Sequence, residues 1–136
     1  MTKPIPHISK YMTTTPRTGA RDLTLTAAER LMTEAGIRHL PIVEGERLLG
    51  VLTQRDLRFA ASLTGVDADR QTVDGAMLEE PYSVTPETPL DEVVATMAEH
   101  KYGSAVIVQN AHVVGVFTTV DACRALSELL NTRLRK

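Results

Sequence analysis

The stretch GVLTQRD at residues 50–56 recurs 65 residues later as GVFTTVD at residues 115–121. The same offset relates several other apolar and proline positions: Met12 to Met77, Pro16 to Pro81, Leu25 to Leu90, Met32 to Met97 and Ile42 to Ile107. Self-similarity at one fixed spacing is the signature of repeated units, and it holds here without a gap. We therefore predict two copies of one unit, at residues 8–65 and 72–131.

Each copy contains the same order of hydrophobic patterns. In the first copy, Thr26 and Glu29 form a predicted capping box at the start of a helix that ends at Gly36. In the second copy, Thr88 is the predicted cap and Pro89 the first helical residue. Two short apolar runs joined by a polar link follow each helix, as in a β-hairpin, and a second helix follows each hairpin. With an extended piece ahead of the first helix, the predicted unit is β-α-β-β-α.

The composition excludes several classes of protein. Of the 136 residues, 43% are hydrophobic and 24% are charged, so neither a disordered nor a collagen-like chain fits. Aromatic residues make up only 4% and tryptophan is absent, so the core is expected to be aliphatic. The formal net charge of −2 argues against a nucleic-acid binder that is basic overall.

The expected location is the cytoplasm. The single cysteine, Cys123, cannot form an internal disulfide, which is typical of a reducing compartment, and its apolar neighbours predict a buried thiol. No apolar run approaches the ~20 residues that span a bilayer, and the first residues lack the apolar stretch of a signal peptide. We therefore expect a soluble protein without membrane contact.

A motif Gly-h-x-Thr-x-x-Asp, where h is apolar, occurs twice, after HLPIV at residues 39–43 and after SAVIV at residues 104–108. The two copies also have similar openings: Met12 and Thr13 ahead of Pro16, and Met77 and Leu78 ahead of Pro81. This combination resembles the cystathionine β-synthase (CBS) domain pair, over roughly residues 8–130. The resemblance implies an α/β fold in which two β-α-β-β-α units are related by a pseudo-two-fold axis, with ligand clefts between them.

Members of this family commonly bind adenosine nucleotides. The resemblance therefore implies that AMP, ADP or ATP binds between the units and that the chain regulates a separate partner protein. It assigns Thr53 and Asp56 to one site and Thr118 and Asp121 to the other. Each aspartate would accept charge-assisted hydrogen bonds from the ribose hydroxyls, and each threonine would contact phosphate at a helix start. S-adenosylmethionine and dinucleotides stay open as ligands, since they share the ribose.

The two sites are not expected to be equivalent, because the charge is unevenly divided. Residues 1–65 contain nine basic and six acidic residues, whereas residues 66–136 contain six and eleven. Part of the basic excess in the first copy comes from Arg38, His39 and Arg55. The equivalent positions in the second copy are not basic: they are Gly103, Ser104 and Val120. We hypothesise that the three basic residues serve the phosphates of the bound nucleotide.

The rest of this hypothesis concerns the nucleoside. Its ribose would lie on Asp121. Tyr102 would pack on the adenine, at the position where the first copy has Ile37. The segments at Met77 and Tyr82 would offer backbone groups to the edge of the base.

A different interpretation needs no ligand. Thr-x-x-Asp at a helix start is also an ordinary capping box, so the chain could be a protein-interaction or dimerisation module with vestigial sites. The resemblance also implies a homodimer, since family members usually pair two such modules through their helices, and the amphipathic stretches at residues 54–64 and 119–130 would provide that face. The candidate apolar residues are Ala60, Ala61, Leu63, Ala122, Leu126 and Leu129. No catalytic motif and no helical histidine pair is present, so we predict no enzyme, catalytic cofactor or metal site.

Overall fold

The computed structural model describes residues 4–14 and 17–133, so Pro16 of the sequence comparison lies outside the described residues. The strands are β1 (Thr13–Thr14), β2 (Gly19–Ala20), β3 (His39–Glu44), β4 (Arg47–Thr53), β5 (Leu78–Glu79), β6 (Ser83–Val84), β7 (Ser104–Gln109) and β8 (His112–Thr118). The α-helices are α1 (Leu25–Ala35), α2 (Gln54–Ser62), α3 (Leu90–His100) and α4 (Thr119–Arg133). Short 3-10 helices occur at Ile8–Lys10 and Val73–Gly75.

The predicted α/β repeat is confirmed. The chain contains the order β-α-β-β-α twice, as β2-α1-β3-β4-α2 and as β6-α3-β7-β8-α4. Helices α1 and α3 both have 11 residues, and the hairpin strands have six and seven residues in each copy. Even the irregularity of the hairpins repeats, because the register shifts at Ile42/Val43 in one and at Ile107/Val108 in the other.

The strands form two four-stranded sheets, with the orders β2-β3-β4-β5 and β1-β8-β7-β6. The chain accordingly divides into two compact units. We call Arg17–Pro81 the continuous unit, and residues 4–14 together with 82–133 the split unit. The boundaries 8–65 and 72–131, predicted from the duplication, stay a prediction. The compact units group the chain differently, because β1 pairs with β8 and β5 pairs with β4.

The motif glycines permit this edge pairing. A Cβ atom at Gly50 would lie 2.5 Å from the carbonyl oxygen of Leu78 and 2.9 Å from the sulfur of Met77. At Gly115 a Cβ would meet the sulfur of Met12, and it would lie 3.1 Å from the carbonyl oxygen of Thr13. Glycine is therefore required where the short edge strand crosses the hairpin closely.

The helix ends follow local sequence, with two corrections to the predicted caps. Thr24, not Thr26, caps α1, and its hydroxyl accepts the Ala27 N–H at 3.1 Å. Thr26 lies inside the helix and donates to a carboxylate oxygen of Asp69 at 2.6 Å. The cap of α3 is Pro89, one residue after the predicted Thr88. Both predictions placed a threonine at the cap from spacing alone, and neighbouring residues take that position.

Each unit has its own buried core, and both are aliphatic as the composition predicts. The continuous unit buries Leu25, Ala28, Met32, Leu40, Ile42, Leu52, Leu57 and Val73. The split unit buries Ile8, Leu90, Val93, Met97, Ala105, Ile107, Phe117 and Ala125. Phe117 is the one aromatic side chain among the buried core residues that the structure describes.

Two surface findings complete the fold. Cys123 is exposed on α4, so the prediction of a buried thiol is wrong; the apolar neighbours that suggested burial include Leu126, which is itself exposed. Within residues 4–14 and 17–133, no helix combines the length and the hydropathy needed to cross a membrane.

Candidate functional site

The first copy of the motif lies at the start of α2 in the continuous unit. Thr53 is the N-cap, and its hydroxyl oxygen accepts the backbone N–H of Asp56 at 3.0 Å. The next amide, that of Gln54, donates to the backbone carbonyl of Arg38 at 2.9 Å. His39 lies directly opposite Thr53 in the β3–β4 pair. The fold thus brings the predicted residues Arg38, His39, Thr53 and Asp56 to one end of the hairpin.

The charges at this end are only partly compensated. The side chains of Arg38 and Arg55 are exposed, and Asp56 is half-buried. Burial lowers the pKa of His39 below its ordinary value of 6.5, the charge of Arg38 lowers it further, and the charge of Asp56 opposes both. The carboxylate of Asp56 has no hydrogen bond or ion pair to any residue that the structure describes. It is therefore an available acceptor near His39, on which the charge of Arg38 also acts.

In the second copy of the motif, which lies in the split unit, the aspartate has different surroundings. Asp121 is only 5% exposed. Its Oδ2 accepts the backbone N–H of Thr118 at 3.0 Å and the hydroxyl of the same residue at 3.3 Å. The hydroxyl of Thr13 lies 3.4 Å from both carboxylate oxygens, and Nη1 of Arg124 lies 3.6 Å from Oδ1. This carboxylate is engaged with its own helix start and with β1.

Two of these contacts escaped the sequence reasoning, namely those from Thr13 and Arg124. Both residues differ in type from their repeat counterparts, which are Leu78 and Phe59. The sequence shows this difference in residue type but not the contacts that result from it. The contact of Thr13 depends on the pairing of β1 with β8, which brings Thr13 opposite Val116 and close to the start of α4.

The aromatic residues predicted to face the base lie together in the split unit. The rings of Tyr82 and Tyr102 stack with centroids 5.3 Å apart, and those of His100 and Tyr102 with centroids 5.1 Å apart. Tyr102 is 37% exposed. It lines an apolar cavity of about 420 Å³ together with Val94, Met97, Ala98, Lys101, Gly103, Thr119 and Ala122. This volume falls within the range of ~300–1,000 Å³ that is usual for small-molecule pockets.

The remaining predicted residues are tied into the fold. Asp121 does not line the cavity that contains Tyr102, although both belong to the split unit. Ile37 packs partly buried against the core of the continuous unit. The amide of Met77 donates to the carbonyl of Val73 at 3.0 Å, and the carbonyl of Tyr82 accepts the amide of Val106 at 2.9 Å. The grouping of the first-copy basic residues with Asp121 stays a prediction.

Among the residues that the structure describes, no three histidine, cysteine, aspartate or glutamate side chains are grouped closely enough to hold a metal ion.

Comparison with known proteins agrees with the repeat. A family model described as CBS domain matches residues 1–62 and 73–128. A solved structure from Vibrio cholerae, described as an acetoin utilization protein (AcuB), is 31% identical to this chain with a TM-score of 0.85. The similarity covers 98% of both chains.

Two further solved structures with this fold contain adenosine compounds. The CBS domain pair of protein MJ0100, in complex with 5′-methylthioadenosine and S-adenosyl-L-methionine, has a TM-score of 0.82 at 23% identity and covers 92% of this chain and 98% of its own. CBSX2 in complex with AMP has a TM-score of 0.80 at 20% identity and covers 91% of this chain and 98% of its own. At these identities the likeness is one of fold.

Proposed function

The chain belongs to the CBS domain family, and we propose that it is a regulatory module that binds an adenosine nucleotide and acts on a separate partner protein. AMP, ADP and ATP are the candidate ligands. The family match supports a regulatory rather than a catalytic role. The adenosine compounds present in two structural neighbours support the ligand class.

The observation that carries the proposal is the unpaired carboxylate of Asp56 at the start of α2. The aspartate of this motif is expected to accept hydrogen bonds from both ribose hydroxyls, and such charge-assisted bonds are about twice as strong as neutral ones. A carboxylate already paired with neighbouring groups would have to exchange one partner for another. The carboxylate of Asp56 has no such partner among the described residues, so a sugar could bind it without breaking a hydrogen bond within the protein.

The phosphates of the nucleotide would be met by the basic residues of the same unit. Arg38 and Arg55 are both exposed. The positive end of the α2 dipole adds to the attraction for a phosphate, with Thr53 at the cap. His39 would gain a proton more readily beside a phosphate, because a nearby negative charge favours the imidazolium. In this placement Ile37 and Met77 belong to the same unit and are candidates for contact with the base.

The placement predicted from the sequence is the second candidate. In it the ribose lies on Asp121, beside Thr118, Tyr102 packs on the adenine, and the segment at Tyr82 offers backbone groups to the edge of the base. The existing contacts of Asp121 favour the placement on Asp56. They also give some support to the ligand-free interaction module, since Asp121 acts as a capping residue.

A thermal-shift panel tests the proposal. The purified chain would be heated with AMP, ADP, ATP, S-adenosylmethionine and GMP, and a ligand present at 100 times its Kd should add about 2.7 kcal/mol to the unfolding free energy. We expect a shift with an adenosine compound, its loss in D56A and its reduction in an R38A/R55A double variant. The control is E29A, which removes an exposed carboxylate from α1. No shift with any adenosine compound would favour the interaction module instead.

A further inference from the structure

The two motif aspartates occupy equivalent positions of the repeat but have different surroundings. Asp121 is buried and is contacted by Thr118, Thr13 and Arg124. Asp56 has no side-chain partner among the described residues, and the residues equivalent to Thr13 and Arg124 are Leu78 and Phe59, which have no side-chain donor. The cause lies outside the motif, since both copies have the Thr-x-x-Asp pattern.

The edge strands explain this difference. Thr13 of β1 pairs with Val116, and Leu78 of β5 pairs with Val51, which is the equivalent register in the two sheets. The backbone crosses the motif glycine in the same way in both units, since Thr13 O approaches Gly115 and Leu78 O approaches Gly50. Thr13 and Leu78 therefore occupy equivalent positions in the two units.

The side chain at this place is a hydroxyl donor in one unit and a hydrocarbon in the other. Thr13 directs its hydroxyl to both oxygens of Asp121. Leu78 has no donor, and it is 56% exposed. The second difference is on the helix: Arg124 pairs with Asp121, whereas its counterpart Phe59 is an exposed hydrocarbon.

We propose that Thr13 closes the second motif carboxylate to ligands, so that the chain binds one adenosine nucleotide, at Asp56. This inference rests on the proposed function. A ribose that approached Asp121 would have to displace the Thr13 hydroxyl and reach a buried carboxylate, and it would replace one hydroxyl by another. Such an exchange of like groups gains little. At Asp56 no hydroxyl of the protein has to leave, so the residue pair Thr13 and Leu78 decides which copy of the motif is used.

Titration calorimetry with AMP tests this inference through the number of ligands bound per chain. We expect one AMP per wild-type chain, no binding in D56A, and little change in D121A if that variant is folded. T13V removes the hydroxyl with little change of shape, and it should raise the number from one to two. T13S keeps the hydroxyl and should stay at one. The double variant T13V/D56A should bind one AMP, at Asp121.

The reverse substitution, at Leu78, tests the same idea independently in the continuous unit. L78T introduces a hydroxyl beside Asp56 and should weaken AMP binding by at least about tenfold, because the ligand must now displace a hydrogen bond to a charged group. L78V, which adds no donor, is its control. Two AMP molecules per wild-type chain, or one per T13V chain, would overturn the role of Thr13 while leaving the proposed function intact. No binding of AMP, ADP or ATP to wild type or T13V would overturn both.

Discussion

Asp121 accepts the backbone N–H of Thr118 at 3.0 Å, so that its side chain closes the first turn of α4. At the start of α2 the corresponding bond runs the other way: the side chain of Thr53 accepts the backbone N–H of Asp56, also at 3.0 Å. A full capping box contains both bonds. Each copy of the motif therefore shows one half of it, and the carboxylate is part of the cap in one copy only.

This difference predicts unequal costs for removing the two aspartates. D121A leaves the Thr118 N–H and two hydroxyls without their acceptor, and an unsatisfied buried donor costs ~1–3 kcal/mol. D56A keeps the bond to Thr53, which uses the backbone amide, and loses only a favourable charge near the helix N-terminus, worth ~0.3–1 kcal/mol. Urea denaturation without ligand should show the larger loss of unfolding free energy in D121A. Equal losses would contradict the contacts of Asp121.

The C-terminal ends of α1 and α3 provide a second prediction. Both helices end in the left-handed conformation, at Gly36 with φ 66° and at Lys101 with φ 59°, and these residues are repeat equivalents. Glycine adopts this conformation without penalty, whereas other residues pay ~1–2 kcal/mol. G36A should therefore lower the unfolding free energy by about 1 kcal/mol, and K101G should raise it by up to about 1 kcal/mol. Thermal and urea unfolding show whether each variant is more or less stable than wild type. A destabilised K101G would refute the strain at Lys101.

Much of this fold could be predicted from the sequence, because the two copies of the repeat can be aligned with each other. The equivalence of residues 50–56 and 115–121 gives the order of elements, the two hairpins and the four helices. What spacing could not give is the partner of each edge strand. Thr13–Thr14 and Leu78–Glu79 are strands of two residues, and so short a pair has no periodicity to read.

The same limit applies to the site. The motif threonines and aspartates were located from the sequence, and so were the basic residues of the first copy. Which carboxylate is already occupied depends on Thr13, a residue more than 100 positions away from Asp121 in the chain. Only the pairing of β1 with β8 brings these two side chains together.

The motif glycine of β4 gives a third prediction. A Cβ atom at Gly50 would lie 2.5 Å from the backbone oxygen of Leu78, which cannot move without breaking the edge pairing. Overpacking of this kind costs ~1–3 kcal/mol, so G50A should be clearly destabilised. G115A should lose less, because its closest contact would be the flexible side chain of Met12. Gly75 is the control, since a Cβ there would lie 3.5 Å from a glutamine side chain and is tolerated.

The fourth prediction concerns pH. The pKa of His39 is lowered from 6.5 by burial and by Arg38, so the unfolded chain binds this proton more readily than the folded chain. The unfolding free energy contains the full contribution of neutral His39 above about pH 6.5, and it loses that contribution as the pH falls toward the lower pKa of the folded state. H39Q removes the titrating group. The stability difference between wild type and H39Q should therefore fall on acidification from pH 8 to pH 5, as measured by urea denaturation at each pH. A difference that rises on acidification would mean that the pKa is raised instead.

The last prediction concerns the expected homodimer and the outer face of α4. Of the apolar residues predicted for the dimer face, Leu63 and Leu126 are exposed, whereas the others pack partly against the cores: Ala60, Ala61, Ala122 and Leu129. Leu126 is 58% exposed, and Leu130, one turn further along, is 45% exposed. Residues four apart share one face of a helix, so these two leucines form an apolar stripe that a second copy could cover.

Light scattering after size-exclusion chromatography measures this association. Wild type should have twice the chain mass of 14.9 kDa, and L126E should elute as a monomer, because a buried unpaired glutamate at the interface is strongly unfavourable. S127E is the matched control: it adds the same charge at an exposed neighbouring position of α4, outside the stripe, and should remain dimeric. Since Leu126 is largely exposed in the chain, L126E should keep its folded circular dichroism spectrum. A dimer that persists in L126E would show that α4 does not form the interface, and a monomeric wild type would refute the homodimer itself.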